Sequence, residues 1–319
     1  DTDRSRGLGD VYKRQALLGG CTSTSVTEKY QDKRNDIINV KDKVIEFETG
    51  NVLIGSVSRL YMSNKCLLIA DHKSVDKQIH IFNKNDFSYL TSIGNFGEGP
   101  EEITVMGCLA IDEAHHQLYV SDHAKQKIFS YDMDSVMVDS LYKPQVKTAM
   151  NETLFPSEYQ YINDTLSIAV LIKPTSTSTF NQFLGRWNMN TGEMIPMKYT
   201  HPDIQKKRIT FAASEKAGIY VECYTRHDLM TICSLDGELL YNIYGPDWDG
   251  GNGNKLQSFG TVMIGNDKIF VSYCGEDYAR DSFPTKILVF DLEGNYLKTL
   301  ETGYKLSLIH ISEPTRPIS

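Results

Sequence analysis

The sequence predicts an all-β protein, a β-propeller of four-stranded blades, and three observations carry that prediction. The first is a cadence: five short apolar runs, starting at Leu67, Leu118, Leu166, Ile219 and Ile269, lie 51, 48, 53 and 50 residues apart. A fixed period in this range, with strands and turns inside each unit, marks propeller blades. The second is the order of segments after each run: an alternating segment, a turn rich in Asp, Asn or Gly, and a further alternating segment. Such alternation describes strands with two different faces. The third is the lack of a long amphipathic helical pattern. A β-sandwich with regular strand spacing is the competing reading, and four strands per unit favour blades.

The first strand of each unit is expected at Val57–Tyr61, Val105–Ile111, Tyr159–Ile162, Ile209–Ala213 and Phe259–Ile264, just before the apolar run. The later strands flank the turns Asn83–Asp86, Asp132–Ser135, Thr191–Glu193, Ser234–Glu238 and Asp291–Asn295. Asp, Asn and Gly recur there because they accept positive φ or bond their own backbone. Blade five ends near Gly303, while Val44–Phe47 reads as a spare strand before blade one. Rings are commonly closed by pairing a strand from the chain start into the last blade. Five complete blades plus one orphan strand therefore predict a six-bladed ring whose sixth blade is truncated.

Residues 5–15, SRGLGDVYKRQ, and 306–316, LSLIHISEPTR, fit no repeat. The reverse complement of one coding choice for the second translates as the first. Both resemble translated sequencing-adapter DNA, so residues 1–15 and 306–319 are set aside as adapter-derived. Residues 44–305 are then the propeller. Between them, Ala16-Leu17-Leu18-Gly19-Gly20-Cys21, followed by a Ser/Thr stretch, resembles the lipobox of a bacterial lipoprotein. In that pattern Cys21 is the lipidated residue, and residues 16–43 are the signal remnant and a flexible tether.

The formal net charge is −8, with no basic stripe, which argues against nucleic-acid binding. No internal apolar stretch could span a bilayer, so membrane association would rest on the lipid alone. Cys66, Cys108, Cys223, Cys233 and Cys274 lack metal-ligand spacing and read as small buried hydrophobes.

No nucleophile elbow, zinc-protease, Walker or dinucleotide motif occurs, and no cofactor, catalytic residue or metal ligand is assigned. The glycine-rich stretches 94–102 and 245–254 follow the last strand of a blade, so they read as connectors rather than phosphate or calcium loops. Asp71-His72 and Asp122-His123 end apolar strands at matching repeat positions and should face the same end of the ring. Tyr224 and Cys274 stand near that place in later repeats, which leaves the histidine set incomplete. A ligand should meet the face formed by the connectors and the loops after the apolar runs. The residues expected there are His72, Glu101, Glu102, His123, Arg226, Trp248 and Asp249.

The lipobox, the cadence, the Gly97-Glu98-Gly99-Pro100-Glu101-Glu102 connector and the Ile287-to-Gly294 type of hairpin together resemble the TolB-like six-bladed propeller lipoproteins of Bacteroides and relatives. The resemblance implies a six-bladed ring in the cell envelope and no settled reaction. The expectation is a non-enzymatic binding or scaffolding propeller for an unidentified protein, peptide or glycan, on the periplasmic face of the outer membrane. The alternative is a metal-dependent hydrolase or lyase with its metal in the central channel. That would need Glu, Asp, Asn or His on several first strands, and the expected strands are almost free of them.

Overall fold

The structure, a computed structural model, describes residues 27–306 except 140, 177–178, 205–206, 252–255 and 281, and the side chain of 278. Cys21 and the adapter-like segments, apart from Leu306, lie outside the described residues. The fold is five antiparallel four-stranded blades, each with its strands in chain order. Blade 1 comprises Ser58–Met62, Cys66–Asp71, Lys77–Asn83 and Tyr89–Asn95. Blade 2 comprises Met106–Asp112, Gln117–Asp122, Lys127–Asp132 and Gln145–Ala149, with a short helix, Met133–Val138, before its last strand. Blade 3 comprises Phe155–Asn163, Leu166–Pro174, Phe180–Trp187 and Met194–Pro196. Blade 4 comprises Ile209–Ser214, Ile219–Tyr224, Leu229–Ser234 and Leu239–Tyr244, and blade 5 Leu256–Gly265, Lys268–Asp277, Lys286–Asp291 and Tyr296–Glu301.

Alternating side chains of each second strand enter different interfaces, as the strand's two-residue period requires. Leu68 and Ala70 pack with Leu109, Leu118 and Val120 between blades 1 and 2. Tyr119 points the other way, to meet Tyr159, Ala169, Leu171 and Trp187 of blade 3. Ile168 and Val170 then meet Ala213, Tyr220 and Cys233 of blade 4. Val221 and Cys223 meet Phe259, Ile269, Val271 and Phe290 of blade 5. With neighbours on both faces, Cys66–Asp71 and Ile219–Tyr224 are buried at every position. The five cysteines at 66, 108, 223, 233 and 274 are unpaired, and burial pushes the Cys108 and Cys233 thiols up to about 12. They pack as small apolar groups.

The orphan strand expected at 44–47 is not a strand. Phe47 stacks on Phe87 at 4.4 Å and meets Phe82 edge-on at 6.3 Å. Val52 and Ile54 pack beside them against Leu67, Ile69 and Phe82. The segment caps the face of blade 1 opposite blade 2, because burying those apolar side chains outweighs adding one more ladder.

The tether expected over residues 16–43 is, from residue 27 on, built into the ring. Glu28–Tyr30 runs parallel to the outermost strand of blade 4, pairing Glu28 with Asn242 and Tyr30 with Tyr244. Ile37–Asn39 runs parallel to the outermost strand of blade 5, pairing Ile37 with Thr299. Between them Arg34 grips Asp228 at 2.9 Å and 3.2 Å, with the two side chains only 7% and 0% exposed. The guanidinium also lies 5.2 Å from the Tyr273 ring centre and 5.7 Å from that of Phe259. The turn after blade 4 must approach closely: a Cβ on Gly245 would fall 2.1 Å from the Asp228 carboxylate. Burial pushes the Asp228 carboxyl above its ordinary value, and Arg34 opposes that shift.

Leaving a buried carboxylate without its cation typically costs about 3–5 kcal/mol. Arg34→Ala is therefore expected to lower the urea unfolding free energy by roughly 3 kcal/mol. It should also speed proteolysis within residues 27–39. An unchanged denaturation midpoint would refute the assignment of Arg34–Asp228 as the clip.

Candidate functional site

The first strands of all five blades surround a central cavity of about 640 Å³. Its wall mixes apolar and polar groups in about equal measure, and the charged side chains of the first strands that line it are Arg59 and Glu158. Each first strand is a sheet edge, bonded to one neighbour only. Such an edge tolerates Pro156, and the register shifts between Pro156 and Glu158. Gln160 is spent on the scaffold: its amide receives the Ala213 N–H at 2.7 Å and donates to the Ala213 carbonyl at 3.0 Å.

At the mouth where the inter-blade connectors lie, Arg59 of blade 1 reaches Glu158 of blade 3 at 2.8 Å. Their side chains are 41% and 46% exposed, and a pair so placed contributes only about 0–1 kcal/mol to folding. Its charges therefore remain accessible to solvent and to a ligand.

Two histidines face this pair. The His72 and His123 backbone N–H groups donate to Val57 and Val105, and Thr225 makes the same bond to Arg208 in blade 4. Thr225, rather than Tyr224, thus takes the repeat position. The two strand-end aspartates beside the histidines are structural. Asp71 accepts the Gly55 N–H at 2.7 Å and Asp122 the Thr104 N–H at 2.8 Å, so each holds the chain leading into a first strand.

The imidazoles point elsewhere. His72 Nδ1 lies 3.1 Å from the Met106 carbonyl, which fixes the proton on Nδ1 and leaves a lone pair on Nε2. That Nε2 and the Nε2 of His123 are buried without a hydrogen-bond partner. His123 packs against Phe155 with ring centres 6.0 Å apart. A Cβ on Gly107 would sit 2.4 Å from His123 Nε2, so glycine makes room for that ring. Burial, reinforced by Arg59, holds the His72 imidazole below its ordinary 6.5. Burial and Arg59 likewise lower His123 against the pull of Asp122. Both are therefore neutral near pH 7, with Nε2 enclosed by protein.

The structure does not gather the other expected residues here. Glu102 turns inward and accepts the Gly99 N–H at 2.8 Å, while Lys125 Nζ donates to the Gly99 and Glu102 carbonyls, both at 2.6 Å. Glu101 pairs with Lys143 at 2.7 Å on the surface. Trp248 forms an aromatic cluster with Tyr244, His201 and His227, ring centres 5.0, 5.8 and 5.9 Å away. Asp249 stands 3.8 Å from His227, and Arg226 is half-buried on the same hairpin. Trp248 thus belongs to the packing of blade 4, with Asp249 exposed beside it.

Four-stranded blades set around a channel with a half-exposed polar mouth define a β-propeller. The chain belongs to the family described as a 6-bladed beta-propeller, DUF5128, whose model matches residues 22–182. The family is six-bladed, and the described residues build five of the blades. Among solved structures, a Bacteroides fragilis protein named as a candidate exported protein is 14% identical, with 86% of this chain and 79% of that chain covered at a TM-score of 0.50. A DUF4221 member from Bacteroides vulgatus is 11% identical, covering 76% and 80%, with a TM-score of 0.47. A gluconolactonase of Xanthomonas campestris is 12% identical, covering 76% and 74%, with a TM-score of 0.47. At such identities the likeness concerns the fold alone. No curated protein matches the sequence.

The lowered histidines set a pH dependence. In the unfolded chain these imidazoles take up a proton near 6.5; in the fold they resist it. The unfolded state therefore binds more protons below that value, and stability falls on acidification. His80, His201 and His227 shift in the same direction through burial. The thermal midpoint is expected to fall from pH 7 to pH 5, and less steeply in a His72→Gln, His123→Gln variant. A flat profile for the unaltered protein would contradict the neutral assignment.

Proposed function

We propose that this chain is a binding propeller of the bacterial cell envelope, tethered by lipid at Cys21 on the periplasmic face of the outer membrane. It takes a protein, peptide or glycan ligand at the connector mouth of its channel. The observation that carries this reading is the Arg59–Glu158 pair, half-exposed across the mouth of the channel that the first strands enclose. The pair offers a cation and an anion on a rigid frame, charged groups of the kind that orient a ligand in a concave site. The lipobox-like run ending at Cys21 and the fold likeness to a candidate exported protein support the envelope location.

Arg59→Ala with Glu158→Ala is expected to leave the unfolding free energy within about 1 kcal/mol of the unaltered protein. It should abolish whatever binding the unaltered protein shows on peptide and glycan arrays. Array binding that survives the double substitution would place the ligand elsewhere. Metal-dependent turnover of an array component would replace a binding role with the hydrolase or lyase alternative. Detergent phase partitioning that is unaffected by Cys21→Ser would remove the lipid anchor.

A further inference from the structure

At the opposite mouth, the turns joining first to second strands of neighbouring blades meet one another, donor to acceptor. Between blades 1 and 2 the Asn64 N–H donates to Glu113 at 2.6 Å. Between blades 3 and 4 the Asn163 amide donates to Glu215 at 3.0 Å, and between blades 4 and 5 Lys216 pairs with Asp267 at 3.2 Å. The junction of blades 2 and 3 is built differently. Asp112 ends the first strand of blade 2 with its side chain 2% exposed, and Asp164 faces it from the turn of blade 3. His115 stands with them, its Nδ1 2.8 Å from Asp112 Oδ2. One ligand atom from each of the three lies within 4.8 Å of the other two. Lys147 stands over the Tyr119 ring, 5.5 Å from its centre.

We infer that Asp112, His115 and Asp164 form a binding site for a divalent transition-metal ion of the zinc type, which staples blade 2 to blade 3. Two carboxylates and one imidazole are a borderline-hard set suited to zinc, and three protein ligands leave a fourth position for water. Calcium, which takes six to eight oxygen ligands, is poorly matched to this set. Ligand atoms about 2.1 Å from zinc stand roughly 3.4 Å apart in a tetrahedron, so the widest pair must close by up to about 1.4 Å and His115 Nδ1 must exchange its 2.8 Å hydrogen bond to Asp112 for the metal. His115 and Asp164 are exposed on turns and can supply that movement. The outer shell is already present. Tyr119 Oη donates to Asp112 Oδ2 at 3.2 Å, and Tyr161 Oη donates to Asp164 Oδ1 at 2.7 Å. Such donors orient carboxylate ligands and leave their other lone pairs to the metal.

The test uses zinc itself on the full chain. Calorimetry and metal analysis after dialysis should find one equivalent of zinc per chain and a raised thermal midpoint. Affinity should drop at least tenfold in Asp164→Asn, an exposed position whose change spares the core. It should be retained in His116→Ala, which alters the neighbouring histidine paired with Asp134. Cobalt should give a visible absorption band that His115→Ala abolishes. Failure of the unaltered chain to bind one equivalent would overturn the inference, as would binding unchanged by both Asp164→Asn and His115→Ala. Calcium binding more tightly than zinc would overturn the metal class.

Discussion

Everything in this molecule depends on burying both faces of each blade against its neighbours. A four-stranded sheet covered on one side only would leave an apolar face in water. Here each second strand divides its side chains between two interfaces, as Leu118 and Val120 do on one side and Tyr119 on the other. That constraint turns the second strand into an unbroken apolar run, makes the first strand a wall of the channel, and sends polar residues to the turns at either mouth. Among the described residues, Phe47, Val52 and Ile54 cover the face of blade 1 that points away from blade 2.

The same constraint explains what can be read in the sequence. Runs such as Leu67–Asp71 and Ile219–Cys223 are visible because two-sided burial leaves few polar residues in them, Asp71 and Glu222 being buried with partners. First strands are harder, since they face both a neighbour and the channel. In blade 3 the strand begins at Phe155, yet Pro156 hides its start, so Glu158 escapes notice as a wall residue. Its partner Arg59 stands within an expected strand, but nothing local joins two residues ninety-nine positions apart. The three-residue strands of the 27–39 segment carry too little apolar pattern to announce themselves. His72 and His123 are legible because the repeat puts them at one mouth. Glu102 and Trp248 share that face but turn their side chains into local contacts, which repeat position does not encode.

Two Arg–carboxylate pairs show how environment, rather than residue type, assigns a role. Arg34–Asp228 is enclosed, so either charge alone would be stranded in a medium that solvates it poorly, and the pair behaves as a fastener. Arg59–Glu158 is half in water, where each charge is nearly as comfortable alone, and the pair can open for something else.

The strap from residue 27 to residue 39 lies along the outer strands of blades 4 and 5, on the circumference of the ring. Thr27 is six residues beyond Cys21, a span of at most about 21 Å when drawn out. Were Cys21 acylated, as proposed, the attachment would reach the ring at its rim, beside the outer strands of blades 4 and 5, and at neither mouth of the channel.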